Sequence, residues 1–218
     1  MKRVILVGGF PETIELCELC GYEIVGVIDS VQRGMVCGYP VLGNDSDAMQ
    51  IRCKFPGAHV LIAVDKPAVR QKLVEFYRQI GFSFASLVSP KAFISGSVKL
   101  GEGVIVQSFC NVSTNTIVGD FVKVNTCANI MHDCVIGNYC TIAPNAVLLG
   151  NIHVGEASYI GANATVIQTN RIGQNVEVGA GAVVTKDIEG ELTVIGVPAR
   201  PMLRGKEMHE KDFNCRKC

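Results

Sequence analysis

The sequence predicts a small α/β, Rossmann-like domain followed by a parallel β-helix of six-residue repeats. Three observations carry that expectation: an apolar run ending in paired glycines near the N-terminus, an aliphatic residue at every sixth position from Ile94 to Val184, and a composition rich in glycine but poor in aromatics. With 218 residues, 48% of them hydrophobic and 18% charged, the chain can bury one large core or two smaller ones. Twenty-three glycines, 6% aromatics and no tryptophan argue against helix bundles and aromatic-rich sandwiches. The expected division is an α/β domain over 1–88, a repeat domain over 89–203 and a charged, aperiodic tail over 204–218.

The charge balance, twenty Lys plus Arg against twenty Asp plus Glu, gives no electrostatic reason for nucleic acid or an anionic membrane to be the main partner. A small, locally recognised ligand fits better. Nowhere does an apolar run approach the roughly eighteen residues needed to span a bilayer, and "MKRVILVGGFPE" turns polar too early for a signal peptide, so a cytoplasmic protein is expected. Ten scattered cysteines then read as free thiols. The C-x-x-C pairs Cys17/Cys20 and Cys215/Cys218 stand nearly the whole chain apart, whereas paired zinc ligands usually lie about fifteen to twenty residues apart, so no metal site is expected.

Taken in order, "RVILVGG" at 3–9 reads as a strand and a glycine turn. "FPETIELCELCG" reads as a helix, with Pro11 in the first turn and Gly21 at the end. "EIVGVID" at 23–29 is a second strand with Asp29 at its carboxyl end, about twenty residues after Gly8 and Gly9. This is the layout of a nucleotide-binding βαβ unit, with phosphate at the helix N-terminus and an acid near the ribose, although the full G-x-G-x-x-G is missing. "AHVLIAV" at 58–64 reads as a buried strand and "PAVRQKLVEFYRQIG" at 67–81 as an amphipathic helix closed by Gly81.

From Ile94 the register is unbroken: every sixth residue to Val184 is Ile, Leu or Val, although only about a quarter of residues in an average chain are. Four positions after each anchor stand smaller residues such as Cys110, Ala128, Cys134, Cys140, Ala146 and Ala164. Directly after it stands a frequent glycine, as in Gly101, Gly119, Gly137, Gly155 and Gly173, expected to turn corners at positive φ. Three faces of six residues close an eighteen-residue coil, and about five stacked coils make a prism on the order of 25 Å long.

This run resembles the hexapeptide-repeat, left-handed β-helix acyltransferases, and left-handedness is an implication of that resemblance. The α/β domain ahead of it, with "YEIVGVID", "GYPVLG", "LVSPKAFIS", "HDCVIG", "IAPNAVLLGN", "VGAGAVVTKDI" and "GVPAR", makes the chain similar to one family. These are bacterial sugar acetyltransferases acting on nucleotide-linked amino sugars of the bacillosamine and perosamine type, or on sialic acid. The resemblance implies acetyl-CoA as co-substrate and a homotrimer with active sites between three prisms.

Acetyl transfer from a thioester needs a base for the acceptor's proton and a donor for the oxyanion. His132 can supply the first: it falls two residues past the anchor Ile130, beside Asp133, in a hexad without glycine. The resemblance makes His132 the general base, Asp133 its acidic partner and Gly150, eighteen residues on, the amide donor. It also implies Asn125 near the acceptor, and Gly8, Gly9, Asp29 and Arg70 in nucleotide-sugar binding. Acetyl-CoA would pass Thr141, Gly150, Gly161, Ala162, Ala180, Lys186, Pro198 and Arg200. Two departures stand out: Thr141 where the family often has a second histidine, and "GGFPET" where it reads Gly-Gly-His or Ser-Gly-His. His153 is out of register with His132, His59 precedes a strand and His209 lies in the tail, while Cys127 and Cys134 read as structural. Two other readings stay open: O-acetylation of sialic acid or another sugar, and a non-catalytic trimeric scaffold.

Overall fold

The computed structural model describes residues 2–202. His209, the Cys215/Cys218 pair and the expected tail 204–218 lie outside the described residues. Five parallel and antiparallel strands make the first sheet: β1 (Arg3–Val7), β2 (Glu23–Ile28), β3 (Met35–Val36), β4 (Tyr39–Gly43) and β5 (His59–Ile62), in the order β3-β4-β2-β1-β5. Helices α1 (Pro11–Leu19), α2 (Ala48–Lys54) and α3 (Pro67–Ile80) complete the domain. Pro11 and Pro67 open α1 and α3, where a missing N–H costs nothing, and Gly81 closes α3 at φ +90°. The β3-β4 hairpin and α2 were not anticipated; β3 has two residues and α2 seven, too short for a period to show.

From Leu87 onward the chain winds into a prism. Two-residue strands pair in parallel with the strand eighteen residues away, as Asn129 does with both Asn111 and Val147. Three ladders result, which we call the first face (from Phe93–Ile94 to Val183–Val184), the second (Lys99–Leu100 to Arg171–Ile172) and the third (Leu87–Val88 to Arg200–Pro201). The anchors from Val106 to Val184 and the smaller residues Cys110, Ala128, Cys134, Cys140, Ala146 and Ala164 form one continuous core. Each fully buried aliphatic side chain there contributes about 1.5–3 kcal/mol.

The corner glycines are needed for a different reason from the one expected. None of Gly101, Gly119, Gly137, Gly155 and Gly173 has positive φ. A Cβ on Gly137 would instead stand 2.7 Å from Glu156 N in the next coil, so glycine permits coil-to-coil approach. Left-handed φ falls two residues later, on side chains such as Phe121 (+54°), Asp133 (+59°) and Tyr139 (+59°).

The α/β domain is seated on the third face. The buried Arg70 guanidinium, 1% exposed, donates to the carbonyls of Val64, Asp65, Phe121, Tyr139 and Cys140 and to Thr141 Oγ1. Phe121 stacks on Tyr139 (ring centroids 5.5 Å apart) and meets Phe84 edge-on at 5.0 Å. Arg78 lies 5.3 Å over the rings of Phe84 and Phe121 and pairs with Glu102 at 2.6 Å. Among the described residues, no helix is long and apolar enough to cross a membrane.

Candidate active site

His132 and Asp133 occupy the corner between the first and second faces, between the strands Asn129–Ile130 and Val135–Ile136. The left-handed φ of Asp133 turns its carboxylate back toward the preceding imidazole, and Oδ2 lies 2.8 Å from His132 Nδ1. Asn115, one coil earlier, donates to Asp133 Oδ1 at 3.1 Å. Hydrogen bonds from His132 and then Asn115 hold the Asp133 carboxyl below the usual carboxylate range, against a small opposing effect of desolvation. Asp133 is thus ionised at neutral pH. It favours the tautomer with the proton on Nδ1, which leaves Nε2 as the free basic nitrogen.

One coil on, at the same corner, Gly150 lies under the ring. A Cβ there would be 2.5 Å from His132 Cε1 and 2.7 Å from Nε2. Among the described residues the Gly150 N–H meets no acceptor. The same turn position is unpaired in neighbouring coils, at His132 and Gln168; only at Gly150 does the missing side chain bring it against an imidazole. An open cavity of about 420 Å³ adjoins this pair, lined by Met131, His132, Leu149, Gly150, Asn151, Gln168 and Thr169. His132 is 56% exposed, so a substrate can reach it. Lys186 stands at the same corner three coils beyond His132.

Asn125 lies elsewhere, at the corner between the third and first faces, after the strand Lys123–Val124. Gly161, Ala162 and Ala180 stack at this second corner in later coils, and Pro198 and Arg200 lie at the far end of the prism. The expected site residues therefore split between two edges of one prism. Asn125 is nearly buried and its Nδ2 donates to Asp65 Oδ1 at 3.2 Å.

Three sequence expectations are corrected. Arg70 and Thr141 are buried and bonded to each other and to main chain, with Thr141 Oγ1 also donating to Asp65 O at 2.6 Å, so neither faces a ligand. Gly8 and Gly9 do not offer a phosphate cradle: Gly8 N–H donates to Ile28 O and Gly9 N–H to Asp29 Oδ2. Asp29 itself receives the N–H groups of Gly9, Val31 and Gln32, so the carboxylate expected near a ribose holds the turn, with one acceptor position left on Oδ2. Phe10 explains part of the altered turn. Its ring packs where a Cβ on Gly8 would stand and lies 5.8 Å from Lys123 Nζ.

Sequence reading missed Asp65 and Lys123. Lys123 Nζ is buried against Ala63 O and Asp65 Oδ1, both at 2.9 Å. A lysine between the apolar residues of "FVKVN" and an acid just past a strand end were the available signals. His153 points outward on the second face, and His59 Nδ1 meets Ser83 Oγ at 2.9 Å, so neither enters the site.

Comparison with known proteins identifies the family of both domains. Residues 8–77 match the PglD N-terminal domain and residues 115–150 the bacterial transferase hexapeptide (six repeats). A variant of GDP-perosamine N-acetyltransferase from Caulobacter crescentus, in complex with CoA and GDP-perosamine, is 33% identical with a TM-score of 0.88, over 93% of this chain and 97% of that one. The acetyltransferase domain of PglB from Neisseria gonorrhoeae, in complex with acetyl coenzyme A, is 32% identical with a TM-score of 0.85, over 92% and 99%. WeeI from Acinetobacter baumannii is 32% identical with a TM-score of 0.82, over 92% and 100%. A search of curated proteins found no match. In sequence, domain order and coil geometry, the chain belongs to the sugar acetyltransferases that join a PglD-type N-terminal domain to a left-handed, hexapeptide-repeat β-helix.

Proposed function

We propose that this enzyme transfers the acetyl group of acetyl-CoA to the amine of a nucleotide-linked amino sugar, in an active site shared by two subunits of a homotrimer. The observation that carries the chemistry is the His132 ring, held at Nδ1 by ionised Asp133 and set over the unpaired N–H of Gly150. The amine nitrogen attacks the thioester carbon; a C–N bond forms and the C–S bond breaks. His132 Nε2 takes the proton shed by the nitrogen and returns it to the departing thiolate. The Gly150 N–H faces the oxygen on which charge develops. The relatives are complexes with CoA and GDP-perosamine and with acetyl coenzyme A, which supports this substrate class.

Two features support the trimer. The half-site at His132 and the half-site at Asn125 flank the first face from opposite edges. That face carries Phe93, Asn111, Asn129, Val147, Thr165 and Val183 outward and no charge, whereas Lys99 and Arg171 stand out from the second face and Glu177 from the third. Turning the uncharged first face toward a threefold axis brings one subunit's His132 edge to the next subunit's Asn125 edge, with the passage for acetyl-CoA between them along Gly161, Ala162 and Ala180, toward Lys186, Pro198 and Arg200.

The test is release of CoA thiol from acetyl-CoA with UDP-, GDP- and dTDP-linked amino sugars and sialic acid, for wild type and His132→Ala. Turnover on one amino sugar, reduced by about a hundredfold or more in the variant, is expected. Turnover on a hydroxyl acceptor alone would replace the amine by an alcohol. Equal turnover in the variant would remove His132 from the mechanism.

A further inference from the structure

The carboxyl ends of β1, β2 and β5 bring Gly8–Gly9, Asp29 and Asp65 to one edge of the sheet. In an open α/β sheet the ligand crevice lies at that edge, where the strand order reverses. Here the reversal falls between β1 and β5, because β1 pairs with β2 on one side and β5 on the other. Both oxygens of Asp29 already receive main-chain N–H groups, whereas among the described residues Asp65 keeps one oxygen without a partner.

Its two oxygens are used differently. Oδ1 receives both Lys123 Nζ, at 2.9 Å, and Asn125 Nδ2, at 3.2 Å. Among the described residues Oδ2 has no partner, and the Asp65 side chain is 51% exposed while Lys123 is 1% exposed. One oxygen is thus pinned from below and the other presented to solvent. Beside it opens a cavity of about 690 Å³ that also includes Tyr159 and Glu177. Burial, and then the charges of Asp65 and Glu177, raise the Tyr159 phenol above its ordinary value and leave it a neutral donor, in a wall that holds those two carboxylates and one cation, Lys66.

Resting on the reading of the chain as an amino-sugar N-acetyltransferase, we propose that Asp65 selects an amine over a hydroxyl on the acceptor: Oδ2 receives the sugar's ammonium group beside Asn125. Lys123 does two things for that role. It fixes the carboxylate in place, and it makes the pair net neutral, so the acid does not repel the nucleotide's phosphates. The ammonium gives one proton to solvent before transfer; the second leaves for His132 as the C–N bond forms. Asp65 acts in binding and takes no proton.

The experiment measures equilibrium binding of GDP-perosamine and of UDP- and dTDP-linked 4-amino-4,6-dideoxyhexoses, each against its 4-hydroxy counterpart. The proteins are the wild type, Asp65→Asn and Asp65→Asn/Lys123→Met; the last removes the stranded buried ammonium in case the single variant does not fold. Expected is a preference of tenfold or more for the amine in wild type that falls to about one in both variants, while the hydroxy sugar binds all three alike. Equal loss of both ligands would reduce Asp65 to a structural part and overturn the inference. Retained amine preference would overturn it as well. Failure of wild type to bind any amino sugar would instead refute the substrate reading, and this inference with it.

Discussion

The His132 imidazole rests against the Cα of Gly150, eighteen residues and one coil away, with room for a hydrogen and nothing larger. Gly150→Ala is therefore expected to push the ring out of line. Misplacement on the order of 1 Å costs about a hundredfold in rate. Because Gly150 has no left-handed φ, alanine adds no backbone strain. Steady-state kinetics should show the loss in kcat, while the thermal midpoint stays close to that of wild type.

Val147 stands at the centre of the uncharged first face. Val147→Lys in three copies would bring like charges together near a threefold axis, in a setting where an unpaired charge is expensive. Sedimentation should show a folded monomer without activity. A trimer of undiminished activity would move the subunit contact to another face.

Arg70 joins α3 to two successive coils through main-chain carbonyls. Burial lowers its guanidinium to about 10, a shift that Asp65 opposes, so it remains charged at neutral pH. Arg70→Ala leaves those carbonyls and Thr141 without their donor. We expect destabilisation of about 3–5 kcal/mol in denaturant unfolding.

Asp29 gives a pH test. Burial raises its carboxyl, but N–H groups from Gln32, Gly9 and Val31, with Arg33, outweigh that and hold it below the ordinary 3.8. A depressed folded value means the stabilisation is present above the unfolded value and disappears as pH falls through the folded one. Wild type should melt above Asp29→Asn throughout pH 5–8, and the gap should close below about pH 4.

Thiol reactivity should follow burial. The Cys17 and Cys140 thiols are pushed up to about 12 and Cys110 to about 11, mainly by desolvation, whereas Cys37 and Cys53 are exposed. At pH 8, mass spectrometry after brief alkylation should find Cys37 and Cys53 modified and those three intact, since the thiolate is the reactive form.

The hexad register was legible because every anchor meets the same steric demand, and so was the stacking of Gly150 on His132, since both follow from period alone. Burial of single polar residues was not. Arg70 and Thr141 read as ligand contacts because a charged or hydroxyl side chain in sequence does not reveal whether main-chain carbonyls await it. Nor did proximity along the chain give proximity in the site: Asn125 is seven residues from His132 but on another edge of the prism. The free amides of Gly8 and Gly9 looked available until Asp29 and Ile28 were seen to occupy them.

Because one buried guanidinium clamps the α/β domain to two coils at once, this wall of the proposed acceptor crevice has no hinge at that point. The enzyme would work as a lock rather than a jaw: the sugar must suit a surface already in place, and little ordering entropy is lost when it arrives. Drift toward a new sugar would then proceed by exchanging fixed side chains along the crevice, not by lengthening or loosening a loop.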